Sequence, residues 1–201
     1  MAMTTPQLYE KLKSKEFQNT DSLFYNAYIF EYDIKEEYSI RQQITEIKES
    51  LKRPATYVDV LALNIFDEFC EYLKQQPFGK LAPNLLEHVL NLDTNRVAST
   101  EKLLAIHAGK DEFLKFIHDK IIAFQDEQTD DVKPYVFLYG FSQMYPYIRA
   151  NTFLSLFEKY NRVGKYNMII FYPGHTQNNS FSLFGVLDDA HTYRSIKLIN
   201  D

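Results

Sequence analysis

Two short runs of this sequence are apolar at nearly every position rather than at alternate ones. Residues 134–140 read Pro134-Tyr135-Val136-Phe137-Leu138-Tyr139-Gly140, and residues 166–172 read Tyr166-Asn167-Met168-Ile169-Ile170-Phe171-Tyr172. A strand with one wet face alternates polar and apolar side chains. A strand without a polar face is buried on both sides, as in parallel sheets covered by helices. Two further runs, 23–32 and 56–63, are rich in β-favouring residues and predict strands. The intervening periodicity is helical: Ile40, Ile44, Ile47 and Leu51 recur at steps of four, three and four, with Glu36, Glu37, Arg41, Glu46 and Lys48 outside the stripe. Helices are also predicted over 5–17, 65–75 and 145–160. The stretch 84–125 reads as three more, marked by Leu85 to Leu90, Leu103-Leu104, and Phe113 to Phe124. Pro173-Gly174 predicts a turn into a polar loop, 175–179, and 181–187 with 193–199 predict a terminal hairpin. The order argues for an α/β, three-layer, mostly parallel, Rossmann-like sheet with a helical insertion and a C-terminal antiparallel hairpin. The expected organisation is a single α/β domain over 1–201 with residues 84–131 as the insert.

At 201 residues, with 45% hydrophobic and 24% charged side chains, the composition is that of a globular chain. Its longest apolar runs fall far below the ~18 residues of a membrane span. One cysteine, Cys70, excludes an internal disulfide, and with no visible secretory signal it fits a reducing cytoplasm. The net charge of −5 is unevenly spread. Residues 1–131 carry 15 basic and 23 acidic side chains, whereas residues 132–201 carry 7 and 4. Such asymmetry marks surfaces with different partners or a basic sheet edge. Sixteen Phe and fifteen Tyr without Trp make an aromatic core, and the tyrosine excess also suits a homodimer contact.

Ligands of parallel α/β sheets sit at the C-terminal strand ends, here Asp33, Asn64, Gly140-Phe141-Ser142 and Pro173-Gly174-His175. The six glycines form neither a phosphate loop nor a dinucleotide fingerprint, and the acidic segment after the first strand would repel phosphate. No cofactor is expected. His175, Asp188, Asp189 and His191 could meet as metal ligands, but Asp and His in a polar turn read first as solvated turn residues, so no metal is assigned. Ser142 follows a buried strand, yet the glycine that a nucleophile elbow needs two residues on is Met144. Cys70 beside Phe69 and Tyr72 reads as a buried inert thiol. His107 and His118 read as surface residues. No catalytic residue is assigned, and the chain reads as non-enzymatic. Arg149, among Tyr145, Pro146 and Tyr147 in the first turns of the 145–160 helix, needs a carboxylate such as Asp33 or a phosphate as partner. A thin nucleic-acid patch could use Arg149, Arg162, Lys165, Arg194 and Lys197, with Tyr166 or Tyr193 stacking.

Two stretches carry a more specific pattern. One is Tyr139-Gly140-Phe141-Ser142-Gln143-Met144-Tyr145-Pro146-Tyr147-Ile148-Arg149 within 136–151. The other runs from Phe171-Tyr172-Pro173-Gly174 through Ser180, Leu183-Phe184-Gly185 and Leu187-Asp188 to Tyr193-Arg194. Together they resemble the BrxB family of BREX (bacteriophage exclusion) defence systems, over about the last 65 residues. Asn179 stands where that family often has glycine, and Thr192 precedes Tyr193-Arg194 where it has a second tyrosine. The resemblance implies a non-catalytic adaptor in a multiprotein defence complex, its partner an alkaline-phosphatase-like PglZ protein. It carries over Gly140, Pro146, Pro173, Gly174 and Gly185 as turn-shaping positions, and Arg149 and Arg194 as charged contacts, to which the strand-end reading adds Tyr145 and Asp33. The alternative is a degenerate nucleotide- or nucleic-acid-binding module acting through the edge around Arg149.

Overall fold

A computed structural model describes residues 3–18, 26–53, 56–80, 82–93, 96–128, 133–161, 164–177, 180–188 and 196–198. The chain divides into two compact units: a sheet unit from segments 1–63, 121–139 and 162–201, and a helical unit from 64–120 and 140–161.

In the sheet unit the strands β1 (Ala27–Tyr32), β2 (Val60–Asn64), β3 (Tyr135–Tyr139), β4 (Asn167–Gln177) and β7 (Ile196–Leu198) lie in the order β2-β3-β4-β1-β7. The pairs β1–β4, β3–β4 and β1–β7 are parallel, with Tyr28 beside Ile169, Phe30 beside Phe171 and Phe137 beside Ile169. The sheet is mostly parallel and flanked by helices, as the unbroken apolar runs require. One face carries Tyr28, Phe30, Tyr32, Tyr135, Phe137, Ile169 and Phe171. It packs on α1 (Thr5–Lys13) and α3 (Glu37–Leu51) through Leu8, Leu12, Ile40, Ile44, Ile47 and Leu51. The Phe137 and Phe171 rings meet edge-on at 5.4 Å, and Phe30 meets Phe171 at 5.6 Å, the arrangement that aromatic quadrupoles favour. On alternate positions Val136, Leu138, Met168, Ile170 and Tyr172 are equally buried, so neither strand has a wet face.

Several boundaries differ from expectation for local reasons. The helix over 5–17 breaks at Ser14, whose hydroxyl donates to Lys11 O and accepts from Phe17 N, leaving α1 and the short α2 (Lys15–Gln18). The strand over 56–63 starts only at Val60. Tyr57 takes a left-handed φ of 48°, and Val58 N–H donates to Leu51 O at the end of α3. Pro173-Gly174 is no turn: β4 continues to Gln177 and pairs antiparallel with β5 (Ser180–Leu183), Gly174 opposite Leu183. A Cβ on Gly174 would lie 2.1 Å from Ser182 O, so only glycine admits that approach. The antiparallel element is therefore β4-β5-β6, with β6 spanning Leu187–Asp188, whereas the last strand, β7, runs parallel to β1 instead of closing a hairpin.

The helical unit contains α4 (Ile65–Gln75), α5 (Leu85–Asp93), α6 (Val97–Ala108), most of α7 (Asp111–Asp126), α8 (Phe141–Met144) and α9 (Ala150–Phe157). Phe113 is its aromatic hub, 5.0 Å from Phe69, 5.4 Å from Tyr72 and 6.4 Å from Phe153. The helix expected over 145–160 begins only at Ala150. Pro146 disfavours helical backbone at Tyr145, which sits at φ −70°, ψ 135°, while Tyr147 and Ile148 N–H both return to Met144 O.

Phe137→Ala should lower unfolding free energy by about 3–5 kcal/mol, read by chemical denaturation, because the ring is fully buried between other rings. A second expectation concerns alkali. Burial, and for Tyr32 also its bond to Glu37, raise the phenols of Tyr32 and Tyr135 above the ordinary tyrosine range. A raised folded-state value stabilises fully below pH ~10 and is lost as pH climbs beyond it. Stability should thus fall above that point. Tyr135→Phe should flatten part of the fall while losing about 1 kcal/mol at neutral pH with its 2.7 Å bond to Leu12 O.

Candidate functional site

The strand-end residues fall into two groups, one in each unit. In the sheet unit Tyr32 is paired with Pro173, and the chain leaves β1 through Asp33. The Asp33 carboxylate accepts from Lys35 N at 2.9 Å and so caps the single 3-10 turn Ile34–Glu36. Behind it Tyr32 OH donates to Glu37 Oε2 at 2.5 Å, and Arg41 donates to Glu37 Oε1 at 3.0 and 2.7 Å from Nε and Nη2. This Tyr32–Glu37–Arg41 network was not expected as a unit. Its only trace in the sequence is the helical i,i+4 spacing of Glu37 and Arg41, since the tyrosine's approach depends on how β1 meets α3.

Further along the same end, Phe184 N–H donates to Pro173 O at 2.8 Å. Three residues, Phe184, Gly185 and Val186, connect β5 to β6; Phe184 and Gly185, with φ of 59° and 71°, are the central pair of a turn closed by Val186 N–H to Leu183 O. Glycine suits the second position of such a turn. A Cβ there would meet the His175 ring at 3.7 Å. His175 is exposed on β4 rather than in a loop. Asp189, His191 and Arg194 lie outside the described residues, as does Asn179. Among the described residues no group of three His, Cys, Asp or Glu side chains is placed to hold a metal ion.

In the helical unit the site is built on Gly140. It has a left-handed φ of 83° and leads into α8. Asn64, at the end of β2, caps α4 by accepting from Phe66 N at 3.1 Å, and its amide donates to Gln143 Oε1 at 3.2 Å. A Cβ on Gly140 would stand 2.0 Å from Asn64 Oδ1. The glycine thus serves both a backbone conformation and a close approach. This locks α8 to the start of α4 and sets the direction of the segment beyond it. That segment presents Tyr145, 36% exposed, and Pro146, also exposed. Arg149 lies with its guanidinium carbon 6.0 Å over the Tyr145 ring, a cation–π distance. Arg149 is not inside a helix as expected. It is the extended residue immediately before α9, at φ −91°, ψ 156°.

The other reactive side chains are accounted for by packing. Ser142 Oγ is buried and engages no hydrogen-bond partner among the described residues. Burial pushes the Cys70 thiol up, away from thiolate. His107 and His118 are half-buried rather than on the surface, against the rings of Tyr72 and Tyr160 at 6.4 and 5.0 Å. Burial holds the His107 imidazole below its usual value. No helix among the described residues is long and apolar enough to cross a membrane.

These features define an α/β protein whose strand ends offer an aromatic–arginine surface and a glycine-locked turn. Comparison with known proteins is more specific. The profile of the family described as "BREX protein BrxB" matches residues 61–198. The chain is 27% identical over 173 residues to the BREX protein BrxB of Bacillus cereus (strain H3081.97), covering 86% of this chain and 83% of that one. The chain belongs to the BrxB family. No solved structure matches it.

The interlock at Gly140 is testable by a double-mutant cycle. Gly140→Ala should lose about 2–3 kcal/mol in urea unfolding, through both its φ and the displaced Asn64 cap. In an Asn64→Gly background the same substitution should lose only about 1 kcal/mol, the backbone share.

Proposed function

We propose that this chain is a non-catalytic adaptor of a BREX anti-phage complex, which binds and positions a PglZ-like, alkaline-phosphatase-like partner. The observation that carries the reading is membership of a family from a multicomponent defence system, matched over residues 61–198. The Arg149–Tyr145 pair supports it. A rigid aromatic beside a guanidinium is the composition that interface centres favour, and it stands on a turn held by Gly140 and Pro146. Arg194 and Asp33 complete the contact set, and other BREX proteins are the wider partners. On this reading the chain works in the cytoplasm as one α/β domain with the helices of 84–131 as an insert, and self-association uses its exposed tyrosines, Tyr38 and Tyr57.

The basic balance of residues 132–201 and the aromatic neighbour of Arg149 favour one second reading, a nucleotide- or nucleic-acid-binding edge. One set of measurements separates the two. Under the adaptor reading, the PglZ-like protein co-purifies with the chain, and Arg149→Glu lowers its recovery about tenfold or more without changing the melting temperature. DNA and ATP titrations at low salt then stay flat. A salt-sensitive DNA response with undiminished co-purification of the Arg149→Glu variant would instead establish the second reading.

A further inference from the structure

In the sheet unit a cavity of about 310 Å³ opens between α1 and α3. Pro6 and Ile47 supply its apolar lining, and Thr5, Tyr9, Gln43, Glu46 and Ser50 bring polar groups to it. Its chemistry is one-sided: one carboxylate, one aromatic ring, three neutral polar side chains and no cation. On these helices Glu37 is paired with Arg41 and Glu10 with Lys13. Glu46, by contrast, lines the cavity. Its Oε1 accepts a neutral hydrogen bond from Gln42 at 2.8 Å, and it takes no ion pair among the described residues. The side-chain groups of Thr5, Tyr9, Gln43 and Ser50 that line the cavity likewise make no hydrogen bond with one another. The Tyr9 ring already receives a cation, with Lys13 Nζ 5.3 Å from its centroid.

We propose that this cavity receives a single arginine side chain of a partner protein. The guanidinium is a planar fork of five donors that pairs with a carboxylate, fills neutral acceptors and stacks on an aromatic ring, which is the set assembled here. The volume is at the lower limit of small-ligand pockets, enough for one side chain and ordered water. The acidic excess of residues 1–131 suits a basic partner segment. The proposal uses none of the residues assigned to the PglZ-like contact and does not depend on it.

The test is an NMR titration of the isotope-labelled full chain with the peptide acetyl-Gly-Arg-Gly-amide and its citrulline counterpart. The arginine peptide should shift the amides of Thr5, Tyr9, Gln43 and Ser50, and the citrulline peptide should bind about tenfold more weakly. Glu46→Gln, an isosteric change at an exposed position, should weaken the arginine peptide by a similar factor and leave the melting temperature unchanged. Equal binding of the two peptides, or unchanged binding by Glu46→Gln, would overturn the site. In cells carrying the other BREX genes, Glu46→Gln should lower the recovery of at least one BREX protein with the chain. Unchanged recovery of all of them would overturn the assignment to a protein partner. Arg149→Glu should leave the peptide titration intact, so the two readings fail separately.

Discussion

Strand β4 is hydrogen-bonded along both edges and apolar on both faces, and the rest of the sheet unit depends on that arrangement. Between β3 and β1 its backbone groups are matched by parallel pairing, while Ile169 and Phe171 on one face and Met168 and Ile170 on the other are dry. A peptide group at such depth has no water to fall back on, so pairing and burial enforce each other. The Phe30–Phe171–Phe137 contacts then fix the level at which α1 and α3 close over the sheet. Since each of these rings contributes of the order of 2 kcal/mol by burial alone, register errors among the central strands are strongly disfavoured.

From this base two glycines shape the surface in different ways. Gly174 is not at a positive φ. It matters because the β5 backbone lies where a side chain would be, which lets β4 outrun the parallel sheet and carry an antiparallel extension. Gly140 combines a left-handed conformation with the Asn64 carbonyl at its α-carbon. It turns the chain sharply after β3 and orients the Tyr145–Arg149 segment. In both places a missing side chain decides how closely two segments can approach, and neither is recognisable as a binding motif by itself.

The division of charge acquires particular residues. The acidic N-terminal portion contains Glu46, which lines a cavity, whereas the basic C-terminal portion contains Arg149 over the ring of Tyr145. Cys70 is half-buried with its thiol pushed up by burial, and Ser142 Oγ is buried without a hydrogen-bond partner among the described residues.

The sequence by itself determined the class of fold, the stripe of α3, the bounds of α4 and the family. Each depends on local periodicity or on a contiguous motif: Ile40, Ile44, Ile47 and Leu51 share a helix face whatever lies opposite, and residues 134–140 cannot be wet on either side. Tertiary structure decided the rest. Ser14 breaks the first helix because its hydroxyl finds Lys11 O and Phe17 N, a competition that propensity does not resolve. Pro173-Gly174 has the composition of a turn, and it remained strand because β5 supplied a backbone that only glycine could accommodate. The pairing of β7 with β1, the Tyr32–Glu37–Arg41 network and the Glu46 cavity join residues whose relation is set by packing rather than by spacing. Long-range contacts of that kind leave no period in a sequence, which is why the elements were legible and their meeting points were not.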